Sequence, residues 1–339
     1  MKSLRCVFIL LLTGFASLAL VYQPARAQAD EPLVLVMTAD GPIMPPMLEY
    51  VKRGIETAQR REAEVLIIQL NTPGGLISIM EQINSQIRAS SVPVVIFVSP
   101  SGGMAASAGA VITMAGHASA MAPQTIIGAA SPVGGQGEDL DETMKSKEME
   151  ALTASVRTYT SSRGEKATAL AESMITSAEA VTEQEALEAG LIDFVVDNVD
   201  DLLEALNGFS VQMSDGPRTL DTTSAQTASL DMRFIEQLLL FLTDPNIVFT
   251  LLSVGTMAIL LEISSPGGWV AGFLGVVLVT VATYGMGVLP VNWFGMIFLL
   301  TAFVLFILDI KAPTHGALTA AGVISFIVGA LVLFNSPGA

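Results

Sequence analysis

Ser107 stands in a run of small residues, Ser101-Gly102-Gly103-Met104-Ala105-Ala106-Ser107-Ala108-Gly109. Such neighbours let a substrate and adjoining backbone come close to a hydroxyl, and a helix starting there would aim its positive end at the oxygen. Upstream, Pro73-Gly74-Gly75 follows an apolar run over 65–70 and precedes a helical pattern carrying Leu76, Ile79, Met80, Ile83 and Ile87. Two glycines in that place permit a turn that exposes amide N–H groups. An oxyanion hole needs such amides, because negative charge develops on the carbonyl oxygen during acyl transfer. Gly74, Gly75 and, beside the serine, Ala108 are the candidate donors. Each segment also has a plainer reading. A Pro-Gly-Gly sequence is commonly just a turn, and the small-residue run would equally suit tight helix packing with Ser107 as a small core residue.

A hydroxyl at its free pKa is a weak nucleophile and needs a base within hydrogen-bond reach. His117 is the obvious candidate, but if 107–116 is helical its ten-residue offset puts it about 15 Å along the axis, beyond reach. Lysine remains, and the segment 28–207 has only Lys52, Lys145, Lys147 and Lys166. Lys52 sits among Glu49, Arg53 and Glu56, a pattern that charge pairing on a solvated helix face explains. Lys166 follows Arg163-Gly164-Glu165, expected to be an exposed turn. Lys145 and Lys147 follow a polar, glycine-containing loop over 132–141, a place from which a mobile segment can deliver a base. They could instead simply balance Glu138, Asp139, Asp141 and Glu142. A lysine base must lose its proton near neutral pH, against a free pKa of about 10.4. Burial can lower that to roughly 7–8. The Met and Ala side chains around Ser107 are expected to desolvate the amine once the loop closes.

Other chemistries fall away on composition. Cys6, the single cysteine, lies in the first 27 residues, so the chain beyond them has no thiol and no disulfide. His117 and His315 are the only histidines and lie in different regions, which leaves no two-histidine zinc site; no cofactor is implied. With 32 acidic against 16 basic residues and no basic cluster, a nucleic-acid partner is excluded.

These residues must be positioned by an exported domain carried on a membrane anchor. Residues 1–27 carry Lys2 and Arg5, an apolar run over 7–21 and Ala25-Arg26-Ala27, the pattern of a signal peptide cut after Ala27; an uncleaved anchor is the alternative. Over 33–200, short β-branched runs (33–37, 65–70, 94–98 and 191–196) alternate with helical patterns (46–61, 76–90, 147–163 and 182–189), which predicts an α/β domain with buried parallel strands. Residues 208–230 turn polar and are predicted to be a linker that ends the exported domain. An amphipathic helix over 231–245 is expected to lie on the membrane surface. Apolar stretches over 246–263, 269–287, 293–310 and 316–334 predict four spans joined by short loops containing Pro or Gly. The third loop carries Lys311 and would be cytoplasmic, in the sense of the positive-inside tendency. Glu262 and Asp309 are placed at span ends, within reach of headgroup water.

The order TPGG (72–75), SPSGGMAASAG (99–109), MAPQTIIGAASPVG (121–134) and EQEALEAGLID (183–193) resembles the NfeD family. The resemblance covers about 33–200 and extends through the membrane segments. It implies a Clp-protease/crotonase-like domain, a repeated ββα spiral, followed by an all-α membrane domain of about four transmembrane helices. It further implies a serine endopeptidase with a Ser–Lys dyad: Ser107 as nucleophile, the Gly-Gly turn as oxyanion hole, and Lys147 as base, with Lys145 the alternative if the register slips. The partner implied is a stomatin-like membrane protein, cut in an apolar segment. A homodimer and an extracytoplasmic, periplasmic protease domain are implied as well. Many long members continue into an OB-like barrel; this sequence stops at Ala339, so either it is a truncated piece or this member lacks the barrel. Two rivals stand beside the protease: an acyl-CoA enzyme, disfavoured outside the cytoplasm, and a non-catalytic scaffold that organises membrane partners.

Overall fold

Runs of Val, Ile and Leu that are buried on both faces form parallel strands, and the helices that cross back between them cover those faces. The computed structural model describes residues 32–134, 141–265, 269–288, 292–311, 314 and 316–333, so the signal-peptide expectation for 1–27 lies outside the described residues. In chain order the first domain comprises β1 (Leu33–Asp40), α1 (Pro45–Arg60), β2 (Val65–Asn71), α2 (Ile77–Arg88), β3 (Val94–Val98), β4 (Met104–Ala106), α3 (Ala108–Ala115), β5 (Ala118–Met121) and β6 (Ile126–Gly128). It continues through α4 (Glu142–Thr160), α5 (Glu165–Thr176), β7 (Ala180–Thr182), α6 (Glu183–Glu188), β8 (Phe194–Val195), α7 (Val199–Leu206), β9 (Ser210–Met213), β10 (Gly216–Thr219) and β11 (Gln226–Ser229).

Six strands form one sheet in the order β11-β1-β2-β3-β5-β8, every neighbouring pair parallel. A second, small sheet has the order β4-β6-β7. A main-sheet strand, a short strand of the second sheet and then a helix recur as β3-β4-α3 and β5-β6-α4, so the parallel α/β domain expected from the alternation is present. Tyr50, Met47, Ile83 and Ile87 fill the core on one side of the large sheet, and Val95, Phe97, Leu202 and Leu206 fill it on the other.

Several elements depart from the sequence expectations. Residues 208–230 are not a linker: β9 and β10 pair as a hairpin through Met213 and Gly216, Val211, Met213 and Leu220 pack on the second face of the large sheet, and β11 extends its edge beside β1. The segment looked polar because only its alternate residues turn inward. α4 starts at Glu142 because the Asp141 carboxylate accepts the N–H groups of Thr143 and Met144, both at 3.0 Å; Lys145 and Lys147 are therefore helical. Lys166 lies in the first turn of α5, not in a loop.

The second part contains α8 (Phe234–Phe241), α9 (Pro245–Ser264), α10 (Val270–Val288), α11 (Trp293–Lys311) and α12 (Ala317–Leu333). Among the described residues only Pro245–Ser264 and Trp293–Ile310 are long and apolar enough to cross a membrane; Val270–Met286 and Ala317–Leu333 are shorter apolar helices. The four-span expectation is corrected accordingly. The helices pair as two hairpins, α9 with α10 and α11 with α12. In the first, backbones approach closely: a Cβ on Gly275 would lie 2.7 Å from the Gly255 carbonyl oxygen. The hairpins are two versions of one unit. Leu261-Glu262-Ile263 recurs as Leu308-Asp309-Ile310, 47 positions on, and Gly275 and Ala282 recur at the same offset as Gly322 and Gly329. The carboxylates keep one role. Glu262 accepts the N–H groups of Trp269 (2.9 Å) and Gly272 (3.3 Å), and Asp309 accepts the hydroxyls of Thr314 and Thr319, so each ties a helix end to the start of the next.

α8 joins the two parts. Arg53 on α1 grips Glu236 with two bonds, Nε to Oε1 at 2.8 Å and Nη2 to Oε2 at 2.6 Å, and donates a third to the Asp231 carbonyl. Burial pushes the Glu236 carboxyl up, but the Arg53 hydrogen bond and the Arg233 N–H together hold it below its ordinary value. Both side chains are nearly enclosed, 14% and 11% exposed. Removing one partner of such a pair leaves the other desolvated. Arg53→Ala is therefore expected to destabilise the docking of α8 by about 2 kcal/mol, the buried-pair cost discounted for the remaining exposure. Hydrogen–deuterium exchange of 234–241 should rise while that of 94–98 stays unchanged; equal protection of 234–241 in both proteins would contradict this role.

Candidate active site

The structure brings Ser107 and the Gly-Gly turn into contact. Ser107 links β4 to α3 with φ 53° and ψ −118°, a left-sided backbone that a non-glycine residue adopts only when its surroundings hold it there. Its N–H donates to the Gly128 carbonyl at 2.8 Å. Its carbonyl accepts the N–H of Ala110 at 3.0 Å, the first bond of α3. The hydroxyl is presented at the tip of a strand-to-helix turn, half-exposed, with no hydrogen-bond partner among the described residues. This is the geometry of a nucleophile elbow.

Gly74 faces it. A Cβ there would lie 2.7 Å from Ser107 Cβ and 3.2 Å from its Oγ, and the backbone has φ +117°, so glycine is demanded twice over. Gly74 itself is not an oxyanion donor, because its N–H donates to Thr72 Oγ1 at 3.1 Å; its contribution is space. Gly75 and Ala108 differ: neither N–H donates to an acceptor among the described residues. One amide lies next to the serine in the chain, and the other follows the glycine that touches it. Ala108 is also the first residue of α3, where the helix leaves its N–H groups unpaired and its partial positive charge concentrated.

The motif reading passed over Asn71 and gave no role to Thr72 within TPGG, yet these two residues align the two segments. Thr72 is fully buried, its N–H donates to the Met104 carbonyl at 2.8 Å, and its carbonyl accepts the N–H of Ala106 at 3.1 Å. Asn71 Oδ1 accepts the Met104 N–H at 3.1 Å. The end of β2 therefore runs alongside β4 and fixes the turn against the serine. The polar types of 71 and 72 at the end of an apolar strand were the available signal.

α4 sets the two candidate lysines on different faces. Met149, Leu152, Val156 and Thr160 recur at three- and four-residue spacing and form the face of α4 that packs inward. Lys145 lies four residues before Met149, on the same face, and is half-buried. Lys147 is about 200° further round the helix and is exposed. The desolvation expected of Lys147 is thus not present in the isolated chain. Residues 142–148 bury no side chain, whereas the helix is anchored from Met149 onward. His117 is buried at the head of β5, with the whole of α3 between it and Ser107, and its Nδ1 accepts the Val94 N–H at 3.1 Å. It is a structural residue.

Comparison with known proteins gives the same division of the chain. Residues 34–214 match the family model described as "NfeD1b, N-terminal domain", and 246–339 match "NfeD integral membrane domain". The chain is 34% identical over 307 residues to "Membrane-bound protease PH1510" of Pyrococcus horikoshii, an alignment covering 89% of this chain and 69% of that protein. It is 28% identical over 287 residues to "Membrane protein NfeD1b" of Bacillus subtilis, covering 81% and 61%. Among solved structures, the 1510-N membrane-bound stomatin-specific protease superposes with a TM-score of 0.58 at 30% identity, over 62% of this chain and 98% of that one, as a lysine-to-alanine variant in complex with a substrate peptide. Its serine-to-alanine variant superposes at 0.54, also at 30% identity, over 59% and 98%.

The structural role of His117 has a measurable consequence. Burial first, then the charge of Arg88 and, less strongly, that of Arg218, lower its pKa from 6.5 to about 4. The folded protein therefore keeps His117 neutral where the unfolded chain would protonate it. That contribution to stability is intact above about pH 6.5 and is lost as the pH falls towards 4, in total about 3 kcal/mol. Amide exchange of 94–98, corrected for intrinsic rates, should show this loss in the wild type and a smaller one in His117→Asn; equal slopes would contradict the assignment.

Proposed function

On the premise that the chain belongs to the NfeD family, we propose that it is a membrane-anchored serine endopeptidase in which Ser107 is the nucleophile and Lys147 the base. The observation that carries this reading is the left-sided Ser107 turn, packed on Gly74 and flanked by two unengaged amides. Ser107 Oγ attacks the peptide carbonyl carbon and gives its proton to the lysine Nζ. The carbonyl oxygen becomes an oxyanion held by the N–H groups of Gly75 and Ala108. Collapse breaks the C–N bond, the leaving amine takes the proton back from the lysine, and water hydrolyses the acyl-enzyme with the same lysine as base.

Sequence separation supports Lys147 over Lys145. The serine and lysine replaced in the solved 1510-N variants lie 41 residues apart, against 40 between Ser107 and Lys147 and 38 between Ser107 and Lys145. Because Lys147 points outward on α4, the base arrives through a rearrangement of 142–148, which costs little packing since Lys145 and Glu148 are only half-buried there and the other residues are exposed. Desolvation on arrival lowers its pKa into the working range.

The substrate is an extended, apolar segment of a stomatin-like membrane protein; the related 1510-N enzyme is described as stomatin-specific. The protease domain lies outside the cytoplasm, following a cleaved leader, and acts as a homodimer. Phe234, Ile235 and Phe241 on α8 are exposed at 79%, 53% and 57%, and this face rests on the membrane surface while Glu236 and Leu240 hold the domain.

Peptide cleavage by the full chain in detergent or nanodiscs tests the dyad. Ser107→Ala and Lys147→Ala should each lose about 10³-fold or more in rate, and Lys145→Ala should stay active. Gly74→Ala, whose Cβ would meet Ser107, should lose at least about 10²-fold. Activity that survives Ser107→Ala would sink the proposal, and a wild type that neither cleaves nor reacts with a serine-directed phosphonate would instead support a non-catalytic scaffold.

A further inference from the structure

The first residues of α1 and α2 break the usual rule for helix starts. Met44 and Leu76 occupy the N-cap positions, where Ser, Thr, Asp or Asn would satisfy an amide, and neither makes a side-chain cap. Each such choice forgoes about 1 kcal/mol of helix stability. Both residues have a common destination. Met44 is 7% exposed and belongs to one apolar cluster with Val248, Ala282, Met286, Leu299 and Leu333, and Leu76 packs against that cluster and against the core of the first domain. Val248 is in the first turn of α9, Met286 in the last turn of α10, and Leu333 is the final residue of α12, so one end of the hairpin bundle meets the protease domain here.

These two residues also flank the oxyanion turn. Ile43, next to Met44, donates its N–H to the Gly74 carbonyl at 2.8 Å and accepts the Leu76 N–H at 2.9 Å, so the two segments form a bridge at Gly75. The fit is tight: a Cβ on Gly75 would lie 2.2 Å from the Ile43 carbonyl oxygen. A shift of Met44 or Leu76 therefore shifts the Gly75 peptide plane.

Building on the reading of Gly75 as an oxyanion donor, we infer that the membrane helices position that donor through Met44 and Leu76. The membrane domain is then a part of the catalytic apparatus as well as an anchor. A movement of the helix ends, as when a partner packs on the bundle, raises or lowers transition-state stabilisation without touching Ser107. Met44 and Leu76 are positioning residues.

The test uses the full chain in nanodiscs, cleaving a peptide substrate, with Ser107→Ala as the control for the active site itself. Met286→Ala removes packing on the membrane side, and Met286→Leu restores its volume. Leu76→Asn removes packing from the other side while supplying a good N-cap, and its rate is compared with wild type at a temperature where both are fully folded. Met286→Ala and Leu76→Asn are expected to lower kcat about 10-fold with KM within about 2-fold of wild type, because an oxyanion contact acts mainly in the transition state. Met286→Leu should recover most of the rate, and exchange of the Leu76 amide, whose N–H is held by the Ile43 carbonyl, should quicken in Met286→Ala. Unchanged kcat in both variants, or a rise in KM alone, overturns the inference while an inactive Ser107→Ala leaves the protease reading standing. Full activity in Ser107→Ala removes both.

Discussion

Everything at the candidate site depends on the space that Gly74 leaves beside Ser107. Ser107 can hold φ 53° only because the neighbouring chain passes at contact distance without a Cβ, and because Gly128 takes its N–H. A conformation of this kind stores on the order of 1–3 kcal/mol. That strain is opposed by the pairing of β2 with β4 through Asn71 and Thr72 and by a core that buries α3 completely. The hydroxyl stays half-exposed as a result, while every residue from Ala108 to Ala115 is enclosed. Reactivity at one atom thus rests on close packing along a whole helix.

The same packing divides the candidate donors. Thr72 captures the Gly74 N–H and so leaves the Gly75 N–H as the amide that can meet a substrate carbonyl. Ala108 is set by the start of α3, a rigid element, whereas Gly75 is set by a bridge to Ile43, a residue between two segments. Of the two donors, the first has little freedom and the second can be adjusted. The lysine is the least fixed of the three: Lys147 rides on 142–148, the part of α4 with no fully buried side chain.

Much of this was legible in the sequence, and the misses share a cause. β3 was read with its observed ends because Val94-Val95-Ile96-Phe97-Val98 is apolar throughout and buried throughout. The Pro-Gly-Gly turn and Ser107 were legible because their residue types permit what few others do. β4 and β5 were not, since Met104-Ala105-Ala106 and Ala118-Ser119-Ala120-Met121 carry mostly small side chains with little strand preference, and only pairing with neighbours makes them strands. Residues 208–230 were mistaken for a linker for a related reason: the β9–β10 hairpin buries only alternate side chains, and β11 pairs with β1, about 190 residues away in sequence, where no local pattern reaches. Lys147 shows the limit of motif alignment. Its separation from Ser107 comes within one residue of that between the positions replaced in 1510-N, but a helix face is set by the cap at Asp141 and by Met149, Leu152 and Val156, and these turn Lys147 outward.

The two ends of the helical hairpins are built to different rules, and that difference bears on how the parts communicate. At the far end, Glu262 and Asp309 each tie one helix to the next with polar bonds, a directional contact with a single good geometry. At the near end the contacts are Val, Met and Leu against Met44 and Leu76, which have no direction and tolerate sliding. The open end of α11–α12 is joined by one bond, the Asn292 N–H to the Leu333 carbonyl at 2.8 Å, so what can slide there is the apolar contact between the helix ends and the first domain. That contact falls on the pair of uncapped helix starts on either side of Ile43 and Gly75. Arg53 and Glu236 keep α8 and the first domain in register throughout, so the freedom that remains in this arrangement is concentrated on the adjustable amide.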